Sequence, residues 1–254
     1  MLKGYPLKNI QGLVRIGLGM LIMSFFSLIQ LPIYAEEREV GQMSENLHWL
    51  GHDSFRLDAS KIIYFDPWKL SQGSKKADII LITHEHFDHY SLEDIKLICS
   101  KDTVIVGPEE VTRSLSVSKS ICKEIKTLSP GENIEVAGVT ISAVPSYNTN
   151  KQFHPESAGN LGFIVLVDGA KIYHAGDTDF IPQMKGLSCD IALLPVSGTY
   201  VMTAEEAVEA ALAIKPRIAI PMHYGDIVGS ASDAKKFQDL LKDKIEVHIL
   251  AKGG

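Results

Sequence analysis

The chain has 254 residues, of which 45% are hydrophobic and 22% are charged, a composition typical of a globular protein with one or two domains. Its formal net charge is −6, and the sequence contains no block of Lys or Arg. This charge balance argues against a surface that binds nucleic acid or an anionic membrane.

The first 35 residues have the pattern of a secretory signal peptide. Three basic residues and no acidic residue accompany an apolar run over residues 16–34, and Ala35 supplies the small residue at the cleavage point. The alternative is an uncleaved N-terminal anchor, because this run could just cross a bilayer. Gln30 and Pro32 weaken the far end of such a span, which favours cleavage. We therefore expect a secreted, periplasmic or cell-surface protein whose mature domain covers residues 36–254.

Strand and helix patterns alternate along the rest of the chain. Short alternating or continuous apolar segments predict strands, and apolar residues at helical spacing behind a capping residue predict helices. The predicted strands cover residues 46–50, 54–58, 61–66, 77–83, 102–107, 133–138, 139–147, 162–169, 170–177, 189–196, 217–224 and 245–251. The predicted helices cover residues 91–99, 108–115, 203–215 and 232–243. No repeat or linker divides them, so we predict one α/β domain with mixed sheets and helices outside.

The strongest chemical signal is the segment HEHFDH, residues 84–89, directly behind a buried strand pattern. So many titratable groups in six positions are costly to bury unless something compensates them. Neutral imidazoles and a carboxylate are ligands for divalent metal ions, and catalytic sites of this kind keep one position open for water. A solvated polar loop is the alternative, which this density of ligands disfavours. The segment therefore predicts a metal site, with room for two ions.

Two further candidates follow strand patterns elsewhere in the chain. Asp177 comes after the strand that ends in AGD, and His223 ends the strand RIAIPMH. Because functional groups concentrate where strands give way to loops, we expect these residues at the same edge as residues 84–89. Taken singly, Asp177 could be a turn residue after Gly176, and His223 could be a satisfied core histidine.

The H-x-H-x-D-H motif behind a hydrophobic strand resembles the signature of the metallo-β-lactamase superfamily, and the likeness extends over nearly all of residues 45–254. Five segments are similar to the branch that contains ascorbate-6-phosphate lactonase and N-acylphosphatidylethanolamine phospholipase D: WLGHDSF (49–55), FDPW (65–68), AGDTD (175–179), LLPVSGTY (193–200) and IPMHYGD (220–226). The resemblance implies an αββα sandwich of two mixed β-sheets with helices on the outer faces and a dinuclear metal site at one edge. It also implies hydrolysis by a metal-bound hydroxide.

The resemblance also implies a set of metal ligands: His84 and His86 for the first ion, Asp88, His89 and His223 for the second, and Asp177 between the two. Relatives often place a third histidine for the first ion where this chain has Asn148, and an amide is a poor zinc ligand. We therefore predict that His154, reached through the loop 148–154, is that ligand. Without it, the first ion would have an open or water-filled position.

Other residues near the motif have expected roles that are less direct. In relatives, the loops that hold His52 and Asp66 approach the metals. Asp66 could accept a hydrogen bond from a ligand imidazole, and His52 could contact the substrate or protonate the leaving group. Asp88 would orient the nucleophile, which makes Asp88 and His52 the catalytic candidates. Loop capping is the alternative for His52 and Asp66, and the resemblance alone places Thr199 and Tyr200 at the pocket mouth.

Two classes of function remain open. The favoured class is a hydrolase with two divalent ions, zinc first and manganese or iron as alternatives, acting on a lactone, an ester or amide, or a phosphodiester. The other class is a di-iron redox or metal-sensing protein on the same fold. The expected partner is a small-molecule substrate, with no nucleic acid, membrane contact only through an N-terminal anchor, and room for a homo-oligomer.

Overall fold

We describe a computed structural model of the chain, which covers residue 1, residues 40–116 and residues 122–253. The chain divides into two units, Met1–Gly41 and Gln42–Gly254, and every strand and helix named below lies in the second. The predicted signal peptide, apart from Met1, lies outside the described residues. Within those residues, no helix combines the length and the apolar character needed to cross a bilayer.

The first sheet has six strands that follow one another in chain order. They are β1 (Leu47–Gly51), β2 (Ser54–Asp58), β3 (Ile62–Phe65), β4 (Ile79–Leu81), β5 (Val104–Gly107) and β6 (Glu124–Thr127). The strands from β1 to β3 pair antiparallel, and those from β3 to β6 pair parallel. Parallel neighbours need a crossover connection, and two of these crossovers carry helices α1 (Leu92–Ile98) and α2 (Glu109–Ser116).

The second sheet has seven strands in the order β13-β12-β11-β10-β9-β8-β7. They are β7 (Asn133–Val136), β8 (Val139–Pro145), β9 (Leu161–Val167), β10 (Ala170–His174), β11 (Ile191–Pro195), β12 (Ile218–Met222) and β13 (Glu246–Val247). Its helices are α3 (Ala204–Ile214) and α4 (Ala231–Leu241), and its short 3₁₀ turns are Glu156–Ala158 and Pro182–Gly186. The strands from β7 to β10 pair antiparallel, and those from β10 to β13 pair parallel.

The two sheets face each other, and the helices cover their outer faces. Phe65 on β3 stacks on His174 of β10 with 5.2 Å between the ring centroids, so these rings lie between the sheets. On the opposite face of the first sheet, Ile80 and Ile105 pack against Ile95 of α1. Alternate residues of a strand point to opposite faces, which lets one sheet serve two apolar layers. The predicted αββα sandwich is therefore confirmed.

Three strand predictions differ from the structure. The sequence pattern does not reveal β6, because its four residues are exposed or half-buried and two of them are charged. The predicted strand over residues 245–251 is only β13, since it pairs with β12 through two residues. The predicted strand over residues 77–83 is only β4, three residues long.

Candidate metal centre

Side chains from five separated segments meet at the edge where β4, β10 and β12 end. They are His52 and Asp53 in the turn between β1 and β2, His84, His86, Asp88 and His89 behind β4, His154 in the loop before β9, Asp177 behind β10, and His223 behind β12. Parallel strands deliver their carboxyl ends to one edge, which explains why residues far apart in sequence converge there. All predicted metal ligands lie in this group.

Three imidazoles form the first cluster, defined as His84, His86 and His154. The Nδ1 atom of His86 lies 3.0 Å from Nε2 of His84 and 3.0 Å from Nε2 of His154. Oδ2 of Asp177 lies 3.5 Å from Nε2 of His154. The structure thus places His154 where the third ligand of the first ion was expected.

Asn148 lies behind His154 and supports the loop that carries it. Its Nδ2 donates to the backbone oxygens of Phe153 (2.9 Å) and Tyr200 (2.5 Å). The Nδ1 of His154 lies 3.3 Å from the same Tyr200 oxygen and donates to it. With the proton on Nδ1, the lone pair of Nε2 faces the first cluster.

The second cluster consists of His52, Asp53, His89 and His223. Asp177 lies beside it, with Oδ1 3.4 Å from Nε2 of His89 and Oδ2 3.3 Å from Nε2 of His223. Because Asp177 also approaches His154 of the first cluster, its carboxylate lies between the two clusters. Gly176 allows this position, since a Cβ there would lie 3.0 Å from the backbone oxygen of Leu161 and the residue has φ +65°.

Asp88, a predicted ligand of the second ion, lies close to two imidazoles. Its Oδ2 lies 3.2 Å from Nε2 of His52 and 4.0 Å from Nε2 of His89. Burial raises the pKa of Asp88, but the hydrogen bond from His52 and the charge of His89 outweigh it and lower the pKa. Asp88 is therefore a carboxylate that can accept hydrogen bonds.

Asp53 is the residue that the sequence analysis missed. Its side chain is fully buried, and Oδ2 lies 3.5 Å from Nε2 of His52, 3.8 Å from that of His89 and 3.9 Å from that of His223. In the sequence it is an acidic residue next to His52 in a turn, which by itself does not indicate a ligand.

One hydrogen-bond network holds the Nδ1 atoms of His84 and His89, which point away from the cavity. Asp66 accepts hydrogen bonds at Oδ2 from Nδ1 of His89 and from Oγ1 of Thr83, both at 2.7 Å. Because Thr83 gives its proton to Asp66, its oxygen accepts from Nδ1 of His84 at 3.0 Å. In their neutral form, both imidazoles therefore carry the proton on Nδ1 and direct the lone pair of Nε2 to the centre, which is how ligand histidines are oriented around metals. The hydrogen bond expected for Asp66 is confirmed.

His223 is held in the same way, because Oγ of Ser197 lies 2.8 Å from its Nδ1. His174, buried between the sheets, donates from Nε2 to the backbone oxygen of Asp53 at 2.8 Å and so supports the turn instead of a ligand ring. Glu85, between the ligand candidates His84 and His86, is exposed.

The electrostatics of the two clusters differ. Burial and the neighbouring His89 lower the pKa of His84 well below its usual value, despite the opposing charge of Asp177. Burial also lowers the pKa of His223, but the carboxylates of Asp177 and Asp53 outweigh it and raise the pKa to about 9. His84 is therefore neutral at pH 7, whereas His223 holds a proton when nothing else compensates the two carboxylates.

The two buried carboxylates respond in opposite directions. Burial raises the pKa of Asp177, but the charges of His223 and His89 outweigh it and hold the pKa well below its usual value. Burial raises the pKa of Asp53, and here the nearby imidazoles of His223 and His52 only partly offset it. The positive charges of nearby imidazoles therefore stabilise the ionised form of Asp177 more than that of Asp53.

Backbone conformation around the centre is unusual. His52 (φ +54°), His154 (φ +60°), His223 (φ +59°) and Asp66 (φ +42°) all adopt the left-handed region. Non-glycine residues are uncommon there, and such strain concentrates at functional sites. The fold thus pays a conformational cost to aim these four side chains.

A cavity of about 310 Å³ opens above the two clusters. Its described lining combines the polar residues His52, His86, Asp88, His154, Asp177 and His223 with the apolar or aromatic residues Phe87, Phe153, Tyr200, Ile227 and Val228. Tyr200 lies at the mouth as expected, whereas Thr199 is exposed beside it and does not line the cavity. No Lys or Arg occurs in this described lining.

The donor set fits divalent metal ions. Both carboxylate oxygens of Asp53, Oδ1 of Asp177 and Nε2 of His89 are buried without a hydrogen-bond partner. Buried polar atoms are almost always satisfied, and imidazole nitrogens with carboxylate oxygens are the ligands that zinc and similar ions take. Metal ions between these side chains would satisfy all four atoms.

An αββα sandwich with such a centre at one sheet edge defines the class of metal-dependent hydrolases with this fold. The family model for the Beta-lactamase superfamily domain matches residues 46–223. The chain therefore belongs to the metallo-β-lactamase superfamily.

Relatives and solved structures agree with this assignment. The chain is 37% identical over 212 residues to a UPF0173 metal-dependent hydrolase of Thermoplasma acidophilum, covering 77% of this chain and 91% of the relative. It is 33% identical over 222 residues to a UPF0173 metal-dependent hydrolase of Thermococcus onnurineus, covering 82% and 96%. A crystal structure from Parabacteroides distasonis, assigned as a metal-dependent hydrolase, has a TM-score of 0.71 and 36% identity, covering 80% and 91%. The protein is a metal-dependent hydrolase, while its likeness to the lactonase and phospholipase branch stays a prediction.

Proposed function

We propose that the protein is a dinuclear hydrolase, with zinc as the first candidate metal, which acts on an uncharged carbonyl group in a small molecule. It would cleave the acyl C–O bond of a lactone or an ester, or the C–N bond of an amide. The observation that carries this proposal is the position of Asp177, whose carboxylate lies within 3.5 Å of ring nitrogens in both clusters. A carboxylate in that place suits two ions better than one.

The ligands follow from the geometry of the clusters. The first ion would be held by His84, His86 and His154, and the second by Asp88, His89 and His223, with Asp177 shared. When bound, two such ions would supply Lewis-acid polarisation of the substrate carbonyl and would activate water for attack at neutral pH. Side chains of the protein would orient the attacking water and transfer a proton to the leaving group.

Asp88 and His52 supply the acid–base chemistry in this proposal. Both line the cavity, and Nε2 of His52 lies 3.2 Å from Oδ2 of Asp88. The lowered pKa of Asp88 keeps it ionised, so it can accept a hydrogen bond from the nucleophile and orient it. His52, with a proton on the nitrogen that faces Asp88, would pass that proton to the leaving group.

The walls of the cavity favour an uncharged substrate with an apolar part. Phe87, Phe153 and Tyr200 stand around the mouth with 68%, 40% and 44% of their surface exposed. Exposed apolar side chains around a pocket are typical of ligand-binding surfaces. A phosphodiester would gain from a cationic side chain, and the described lining offers none.

One observation favours a second candidate, a di-iron redox or metal-sensing protein on the same fold. Asp53 adds a carboxylate to the second cluster, and oxygen-rich ligand sets suit manganese or iron as well as zinc. Metal analysis separates the two: two zinc ions favour hydrolysis, and two iron ions with a visible absorption band favour redox chemistry.

A substrate panel tests the proposed function. Chromogenic lactone, ester, phosphodiester and β-lactam substrates are offered to the full chain with added Zn²⁺ or Mn²⁺. We expect turnover of the lactone or ester, at least 100-fold loss in Asp88→Asn, and unchanged turnover in the control Glu85→Gln, which alters an exposed acid of the same loop. Turnover of the phosphodiester alone would contradict the assigned bond, and an iron-loaded protein without hydrolysis would contradict the class of reaction proposed here.

Export and self-association complete the proposal. We infer export from the signal pattern over residues 1–35, and light scattering would test whether copies of the chain associate. Neither property is needed for the chemistry above.

A further inference from the structure

Asp53 lies in the turn between β1 and β2, outside the H-x-H-x-D-H motif. Its carboxylate is fully buried, and neither oxygen has a hydrogen-bond partner. A buried carboxylate is normally paired with a cation or accepts hydrogen bonds, because taking it out of water is costly. His52 is its nearest ring, at 3.5 Å, but that nitrogen lies closer to Asp88, at 3.2 Å.

The turn that carries Asp53 is fixed at three points. The Nε2 atom of His174 donates to the backbone oxygen of Asp53 at 2.8 Å. The backbone oxygen of His52 accepts from Nε1 of Trp49 at 2.9 Å and from the backbone nitrogen of His223 at 3.1 Å. These hydrogen bonds hold the backbone of the turn in place, and the side chain that it carries is fully buried beside the imidazoles.

The distances around Asp53 are those of ligands that share one ion. Metal–ligand bonds of 2.0–2.2 Å place neighbouring ligand atoms of a tetrahedral ion about 3.4 Å apart, and more open angles place them at about 4 Å. Oδ2 of Asp53 lies 3.8 Å from Nε2 of His89 and 3.9 Å from Nε2 of His223. Asp88, the ligand that the motif supplies, is no closer, with Oδ2 4.0 Å from Nε2 of His89.

We propose that Asp53 is a direct ligand of the second metal ion, together with His89, His223 and the shared Asp177. This inference rests on the proposed function only in requiring that two ions bind. It makes the two positions chemically different. The first has three imidazoles and a shared carboxylate, while the second has two imidazoles and as many as three carboxylates. An oxygen-rich position prefers Mn²⁺ or Fe²⁺ more than an imidazole-rich one does.

The decisive experiment is a crystal structure of the full chain loaded with Mn²⁺, with both ions located by anomalous scattering. We expect a carboxylate oxygen of Asp53 at about 2.0–2.3 Å from the second ion. Two ions with the Asp53 carboxylate more than about 3.5 Å from either would overturn this inference and leave the dinuclear proposal standing. Absence of both ions from loaded protein would overturn both.

A matched pair of variants gives an independent readout in solution. Asp53→Asn removes the charge with little change of shape, and Asp226→Asn makes the same change at a carboxylate that pairs with Lys252 outside the two clusters. In Mn²⁺ buffers, we expect Asp53→Asn to keep one ion per chain and to bind the second at least ~100-fold more weakly, beyond the range seen for outer partners of ligands. Asp226→Asn should bind two ions with wild-type affinity. Equal second-ion affinity in both variants would contradict a ligand role for Asp53.

Discussion

Replacing Asp177 by alanine should remove metal from both positions at once. Oδ1 of Asp177 lies 3.4 Å from Nε2 of His89, while Oδ2 lies 3.3 Å from Nε2 of His223 and 3.5 Å from Nε2 of His154. Each ion would therefore lose one contact. Removing only the outer partner of a metal ligand costs about 10–100-fold in affinity, so losing a direct ligand should cost ~100-fold or more at each position.

The size of the effect follows from that factor. A 100-fold weaker Kd corresponds to about 2.7 kcal/mol per ion. At a free metal concentration ten times the wild-type Kd, occupancy would fall from about 91% to about 9%. Asp177→Ala should therefore hold well under half of the wild-type metal and lose turnover with it.

Equilibrium dialysis at matched free Zn²⁺, followed by elemental mass spectrometry, measures this loss. Glu85→Gln is the control, because Glu85 is an exposed acid in the loop behind β4. Circular dichroism establishes that both variants are folded. A folded Asp177→Ala protein that still held two full equivalents of zinc would show that Asp177 is not shared by two ions, because removing a shared ligand must weaken the binding of both.

Three further predictions follow from the structure, and a fourth follows from the sequence of the first 35 residues. Affinity for the second ion should rise with pH up to about 9, because carboxylates outweigh burial and raise the pKa of His223, whose proton must leave first. The first ion should bind almost independently of pH above 6.5, because the pKa of His84 is lowered, and calorimetric titrations that gave one common pH profile would contradict this difference. Asp66→Asn should weaken metal binding about 10–100-fold by releasing the ring of His89, and unchanged affinity in competition with a chelator would argue against that role. Phe87→Ser should raise KM about 10-fold for an ester with a long apolar group and leave kcat nearly unchanged, since ~55 Å² of lost apolar contact corresponds to about 1.4 kcal/mol. Equal KM values for the wild type and the variant in steady-state assays would count against an apolar subsite. Intact mass of protein expressed in an exporting host should match a chain that begins after residue 35, and the full-length mass would contradict cleavage.

The sequence predicted the fold and the convergence of the candidate ligands for a clear physical reason. His84, Asp177 and His223 each stand at the end of an apolar strand pattern, and parallel strands of a sheet deliver their carboxyl ends to the same edge; here the two facing sheets bring these strand ends together. His154 was harder, because it lies in a loop without a strand pattern, and its placement relied on rejecting Asn148 as a ligand. The structure shows that Asn148 instead holds the loop that presents His154.

Other features depended on contacts between distant segments. Asp53 follows His52 directly, and nothing local distinguishes a buried carboxylate aimed at His223 from an ordinary turn residue. The aromatic mouth of the cavity brings Phe87 and Phe153 together from two unrelated loops, so neither loop alone indicates a pocket. Local pattern thus reveals strands and their ends, while the packing of turns and loops over those ends appears only in three dimensions.

Native mass spectrometry of the wild-type chain after reconstitution with Zn²⁺ measures how many ions each folded chain holds. We predict a mass increase of two zinc ions per chain, which the double mutant His84→Ala/His223→Ala should lose. A folded wild-type chain that took up no zinc, or never more than one ion of any divalent metal, would contradict the dinuclear centre proposed here.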